Sequence, residues 1–260
     1  MVIAYKEFNK DVTEEERTFD ASLLERIKPQ DLNYDNHKHI YEKLIRNLSS
    51  LLNGKYKQMG IHIYCRFLYQ WLLHSQKKCN INEFALSLFY EVSHDNVFRK
   101  GAISSCPYYS YDTTYKEPLN IIKLDNFHEN IQEIKSTLDI ENYQVNSPCQ
   151  KYVCECVKIY KTMHYKYCPY EGTIDTKLKN TCDILNKFKS SYMAYLFGQD
   201  GIKDKLPPLN GSDIDDFPRC LSDKSKPELG SELGSAQSRV RGAGLGLEQH
   251  SQATSPASEQ

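Results

Sequence analysis

Residues 149–197, CQKYVCECVKIYKTMHYKYCPYEGTIDTKLKNTCDILNKFKSSYMAYLF, decide how this chain is read. Val153, Cys156, Val157, Tyr160 and Met163 recur at spacings of three and four, one apolar stripe along a helix. Pro169, Glu171 and Gly172 interrupt the pattern as a turn does. Leu178, Cys182, Leu185, Phe188, Tyr192, Tyr195 and Leu196 then resume it. Two amphipathic helices with a short connection pack antiparallel. Cys149, Cys154 and Cys156 lie on the first arm, Cys168 at the turn and Cys182 on the second. The stretch predicts a cross-linked helical hairpin and carries nothing catalytic.

Outward from the hairpin, the rest of the chain is also helical in period. Residues 13–27 open with Glu14, Glu15 and Glu16, where a helix dipole favours acid. Residues 29–36 are a polar break. From His37, Ile40, Leu44, Ile45, Leu48, Leu51 and Leu52 form one face, and Asn53-Gly54 is a C-terminal stop. Residues 58–74 carry Ile61, Tyr64, Cys65, Phe67, Leu68, Trp71 and Leu72, an arc wide enough for a central helix. Trp71, the only tryptophan, reads as core. Ile81, Phe84, Leu88 and Val92 give a further helix ending near Asn96, and Phe127, Ile131, Ile134 and Leu138 a short one before the hairpin.

Between them, residues 100–118 are long for a structureless connection and hold Cys106, Tyr108, Tyr109, Tyr111 and Tyr115. The simpler reading has Cys106 stapling the loop while the tyrosines cover the core edge. The functional reading makes those four tyrosines the candidate binding residues. After residue 197, Gly and Pro punctuate a polar segment, and all 30 aromatics lie at or before Phe217. Glu-Leu-Gly-Ser repeats in tandem at residues 228–235. Such a segment cannot bury enough apolar surface to offset its ordering entropy, so residues 221–260 are expected to be a disordered tether. The expected organisation is a flexible segment at residues 1–12, then a single all-α domain of six or seven helices over residues 13–220, then that tail.

Composition narrows the function. A net charge of −1 and a pI near 6.7 give no basic field for nucleic acid or anionic lipid. No apolar run of about 18 residues is present, so no transmembrane helix is expected. The most apolar stretch, residues 61–73, is broken by Arg66 and Gln70. Residues 1–20 lack the apolar core of a secretory signal. Nine cysteines read either as a disulfide framework with one left over or, in a reducing compartment, as buried apolar residues. Their crowding into residues 149–182 favours disulfides, with connectivity open.

No GxGxxG, Walker loop, HExxH or GxSxG occurs. Cys154-Glu-Cys156 is too closely spaced for a zinc knuckle. His62, His74, His94, His128 and His164 are scattered, and no carboxylate pair stands in an apolar setting. No catalytic, cofactor-binding or metal residue is therefore expected. Of two sequons, Asn47 falls inside a helix, which leaves Asn210.

The order of Cys149-Gln-Lys-Tyr152-Val153, Cys156-Val157-Lys-Ile159-Tyr160-Lys161, Met163, Tyr167-Cys168 and Cys182-Asp-Ile-Leu185-Asn186-Lys-Phe188-Lys189 resembles the C-terminal half of the VIR proteins. These are the Plasmodium vivax-type members of the Plasmodium interspersed repeat (PIR) superfamily of malaria parasites. Lys43-Leu44-Ile-Arg46-Asn47-Leu48, then Cys65-Arg-Phe-Leu68-Tyr69-Gln-Trp71-Leu72, is similar to the N-terminal half, so the resemblance spans roughly residues 36–220.

The resemblance implies an α-helical, disulfide-stapled ectodomain without enzymatic activity. It implies a variant antigen exported into or onto the infected red cell, acting in immune evasion and adhesion to host proteins or antibodies. It also implies membrane association through a transmembrane helix that this sequence lacks. Candidate disulfide cysteines are Cys65, Cys79, Cys106, Cys149, Cys156, Cys168, Cys182 and Cys220. Cys154 is additional to the motif and is the candidate free thiol. The cysteine expected before Lys43-Leu44 is absent, with His39, Ile40 and Tyr41 in its place. The alternative is an intracellular structural or trafficking protein with reduced cysteines; a thiol-dependent enzyme is a third and remote class.

Overall fold

The computed structural model describes residues 2–17, 21–54, 56–140, 147–168, 175–210 and Cys220, and the regular structure among them is all helical. Among these residues there are 11 α-helices, in chain order α1 Val2–Asn9, α2 Glu14–Arg17, α3 Ala21–Ile27, α4 Tyr34–Asn53, α5 Ile61–Cys79, α6 Glu83–Arg99, α7 Tyr111–Thr114, α8 Pro118–Glu129, α9 Ile131–Ile140, α10 Pro148–Tyr167 and α11 Thr176–Tyr192. Lys28–Gln30 and Lys203–Lys205 are single 3-10 turns, and α11 runs into a π-helical turn at Met193–Phe197.

The expectation of six or seven helices is corrected by this count. Residues 1–12, expected to be flexible, contain α1, whose Ala4 and Phe8 lie four apart on one face and are buried. Two residues are too short a period to register as a helix. The single helix expected over residues 13–27 is α2 and α3. The tyrosine loop contains α7, one turn capped by Ser110, whose Oγ accepts from the Thr113 N–H at 3.2 Å. The helix around Phe127 is α8 and α9, divided at Asn130. Asn130 sits at φ −107°, and its Nδ2 donates to the Asn126 carbonyl at 2.7 Å. The apolar period runs through that division undisturbed, so spacing alone does not show it.

Helix ends follow local chemistry. Gly54 closes α4 in the left-handed conformation at φ 61°, as Asn53-Gly54 predicts. Asn82 caps α6 and Asp175 caps α11, each side chain accepting two backbone N–H groups. Ser147 caps α10 ahead of Pro148. At the end of the π turn Gly198 is required, because a β-carbon there would lie 2.7 Å from the Met193 carbonyl oxygen. The π turn also shifts the helical phase. Tyr195, read as part of the apolar face, is 42% exposed, whereas Tyr192 and Leu196 are fully buried.

Residues 1–221 form one compact unit containing two main apolar cores; the expected tether, residues 221–260, lies outside the described residues. The first core gathers α1, α3, α4, α5 and α6 around Tyr41, Leu44, Leu68, Trp71, Phe89 and Tyr90. Trp71 is 1% exposed, as its place in the widest apolar arc predicts. The second gathers α8 to α11 around Leu124, Phe127, Val157, Leu185 and Phe188. The hairpin is antiparallel: Cys168 is bonded to Cys182, and Tyr160, two turns earlier, meets Phe188, more than one turn later, at 5.4 Å between ring centroids. Its turn, with Pro169, Glu171 and Gly172, lies outside the described residues. A small third cluster of Leu73, Tyr111 and Ile122 brings together α5, α7 and α8, and thereby the two cores.

Candidate functional site

The tyrosine loop lies where the two cores meet, and it is tied down along its length. Cys106 is fully buried and bonded to Cys65 of α5, with 5.5 Å between the α-carbons. Tyr90 donates to the Cys106 carbonyl at 2.7 Å and Tyr69 to the Pro107 carbonyl at 2.8 Å. Lys77 of α5 pairs with Asp112 at 2.6 Å, and the Lys116 N–H donates to Thr181 of α11 at 3.0 Å. α7 is thus clamped between α5 and α11.

The candidate binding tyrosines form a chain of rings. Tyr69 meets Tyr109 at 5.6 Å, Tyr109 meets Tyr111 edge-on at 5.0 Å, and Tyr111 meets Tyr115 at 5.9 Å. Tyr108 packs separately on Tyr90 at 5.3 Å. Tyr111 is buried and the other three are half-buried. The rings pack on one another and on the helices below them instead of standing clear of the loop. They close the edge of the core, as in the simpler reading. The exposed apolar residue of the loop is Ile103, 98% accessible, with Phe98 of α6 exposed close by in sequence.

Tyr109, Tyr111 and Tyr115 nevertheless line a cleft of about 390 Å³, together with Arg66, Tyr69 and Asp125. Arg66 holds Glu129 at 2.9 Å through Nη1, and its buried Nε finds no hydrogen-bond partner among the described residues. Burial pushes the Asp125 carboxyl above its ordinary range, against the pull of Arg66. Burial likewise holds Tyr111 and Tyr115 far above the usual phenol range, and pushes Tyr108 up to about 12. At neutral pH these hydroxyls are uncharged donors. The cleft therefore offers aromatic walls and neutral O–H groups, an arrangement suited to stacking against a planar group. The sulfur of Cys65 on its rim is consumed in the disulfide.

Three disulfides form: Cys65–Cys106, Cys154–Cys220 and Cys168–Cys182. Cys79, Cys149 and Cys156 remain thiols. The expected assignment is corrected at four positions: Cys154, set aside as the free thiol, is bonded, and Cys79, Cys149 and Cys156, expected in disulfides, are not. The reason for the exchange is helical phase. Cys154 and Cys156 stand about 200° apart around α10. Cys156 shares the stripe of Val153 and Val157, is fully buried in the second core, and has its thiol pushed up to about 12 by burial. Cys154 faces the segment that returns with Cys220. The Cys149 thiol donates to the Ile134 carbonyl at 3.8 Å.

Other polar sites were not legible in advance. Asp31 accepts from Tyr41 at 2.7 Å and contacts His37 Nδ1 at 2.8 Å, while His37 Nε2 meets the Cys79 carbonyl at 3.0 Å. Asn47, the sequon residue expected inside a helix, lies in α4, is buried and donates to the Phe8 carbonyl at 3.3 Å. Asn210 is exposed, and the rest of its sequon lies outside the described residues. Among the described residues no cluster of three His, Cys, Asp or Glu side chains is placed to hold a metal, and no helix is long and apolar enough to cross a membrane. The chain matches no family model, no curated protein and no solved structure.

Proposed function

We propose that this protein is a non-enzymatic binding domain of the VIR kind, a variant antigen of a malaria parasite exported to the infected red cell, where it meets host proteins or antibodies. The observation that supports this reading is the set of three disulfides, one within the first core's elements and two in the second half. Bonds of this kind persist in oxidising compartments and are rare in a reducing cytosol. A helical frame stapled in this way leaves its loops free to vary while the packing is kept.

Contact with the host falls to side chains that the frame leaves exposed. Phe98 and Ile103 are such residues, whereas Tyr111 is buried. The direct experiment is protease treatment of intact infected red cells, followed by detection of the protein with antibodies to its folded domain. Loss of the full-length band under conditions that spare parasite cytosolic markers supports the reading. Protection of the protein inside the parasite moves the assignment to an intracellular structural or trafficking role.

A further inference from the structure

A second and larger cleft, of about 630 Å³, opens on another side of the junction between the cores. Its walls come from α1, α5, α8 and α10. The volume is in the range of small-molecule sites, about 300–1,000 Å³. Leu119, Ile122 and the ring of Tyr152 give it an apolar wall. Its charged lining residues are Lys6, Lys10 and Lys123, and no acidic residue lines it. That bias is local, since the whole chain carries a net charge of −1. Lys10 is paired with Glu7 at 2.5 Å and Lys123 with Glu155, whereas Lys6 enters no ion pair among the described residues.

The hydrogen bonding of Tyr5 supplies the second polar group. His74 Nδ1 lies 2.7 Å from the Gln70 carbonyl oxygen, which can only accept, so Nδ1 carries the proton. The Tyr5 hydroxyl, 2.9 Å from the same nitrogen, is then confined to accepting from it. Its own proton is left to donate elsewhere, on a residue that lines the cleft. Burial holds that phenol far above its ordinary range, so it stays a donor at neutral pH.

We propose that this cleft binds a single-chain anionic amphiphile, a fatty carboxylate, with its chain along Leu119 and Ile122 and its head between Lys6 and the Tyr5 hydroxyl. Apolar wall, cation and spare hydroxyl donor are the three features such a molecule requires; α8 and α10 supply the first, and Lys6 and Tyr5 of α1 the other two. This site is separate from the tyrosine cleft and does not rest on the reading of the protein as an antigen.

Trp71 provides the probe. Its indole N–H donates at 3.1 Å to Asn9 Oδ1, and Asn9 lines the cleft. As the only tryptophan, it reports on this region without labelling. The full chain, with disulfides intact, is titrated with laurate below its micellar concentration, following tryptophan emission and heat by calorimetry. A saturable change at one site per chain is expected. Lys6→Gln and Tyr5→Phe should each weaken binding by about tenfold, the scale of one charge-assisted hydrogen bond. Leu119→Glu, at a residue already 40% exposed, should abolish it. Lys78→Gln, on the exposed end of α5, should leave it unchanged. Unchanged circular dichroism and melting temperature in Lys6→Gln verify folding. Absence of saturable binding, equal affinity for an uncharged twelve-carbon amphiphile, or indifference to Lys6→Gln and Leu119→Glu would overturn the proposal.

Discussion

The side-chain amides of Gln70 and Asn126 face each other across the junction of the two cores and exchange two hydrogen bonds, Nε2 to Oδ1 and Nδ2 to Oε1, each 3.2 Å. Both residues are buried, Gln70 completely. The pair fixes the register of α5 on α8. Removing one partner strands the other amide, so Gln70→Leu should cost about 1–3 kcal/mol in urea denaturation. Gln70→Leu with Asn126→Leu should recover part of that loss. Strict additivity of the two single changes would show that the amides do not act as a pair.

The loop tyrosines should behave as core residues. Tyr111→Ala should destabilise by about 3–5 kcal/mol, the range for removing a large buried aromatic. Ile103→Asp, at a fully accessible position of the same loop, should leave the melting temperature unchanged. Equal effects of the two substitutions would contradict the inward packing of α7.

Asp31 should give the protein an acid-sensitive contribution to stability. Burial alone would raise its carboxyl; bonds from Tyr41, His37 and the Asn33 N–H outweigh burial and hold it below the ordinary range. A depressed folded value means that the stabilisation is complete above the unfolded value, about 3.9, and is lost as pH falls through the folded value. Asp31→Asn should therefore lower stability at pH 7 and flatten the fall of stability below about pH 4. An unchanged acid limb in stability measurements from pH 2.5 to 7 would contradict this.

Cys156 and Cys154 should part company in reactivity. In the folded protein Cys156 should resist alkylation at pH 8, because its thiol is buried and pushed up to about 12. Cys154→Ser should release Cys220 as a thiol, whereas Cys156→Ser should leave all three disulfides intact. Opening Cys65–Cys106, which closes 41 residues, should cost about 2–5 kcal/mol. Mass mapping of alkylated peptides and urea denaturation check these outcomes.

The helical class and the hairpin were legible because period and punctuation are local properties. The stripe through Val153, Val157 and Tyr160, the Asn53-Gly54 stop and the burial of Trp71 all follow from neighbours within a few residues. What escaped depends on single residues or on distant partners. Asn130 divides α8 from α9 without disturbing the apolar period, and the π turn after Tyr192 rotates Tyr195 outward. Arg66 and Gln70 read as interruptions of an apolar stretch. Their roles appear only when α8 supplies Glu129 and Asn126. Cys154 and Cys156 differ by two positions, and only the core face assigns one to a disulfide and the other to packing.

The most direct test of the account is intact mass after alkylation of the denatured protein, with and without prior reduction. Three alkyl groups before reduction, mapping to Cys79, Cys149 and Cys156, and nine after it are the predicted result. Nine before reduction, or a disulfide that contains Cys156, would contradict the stapled fold and the exported function proposed from it.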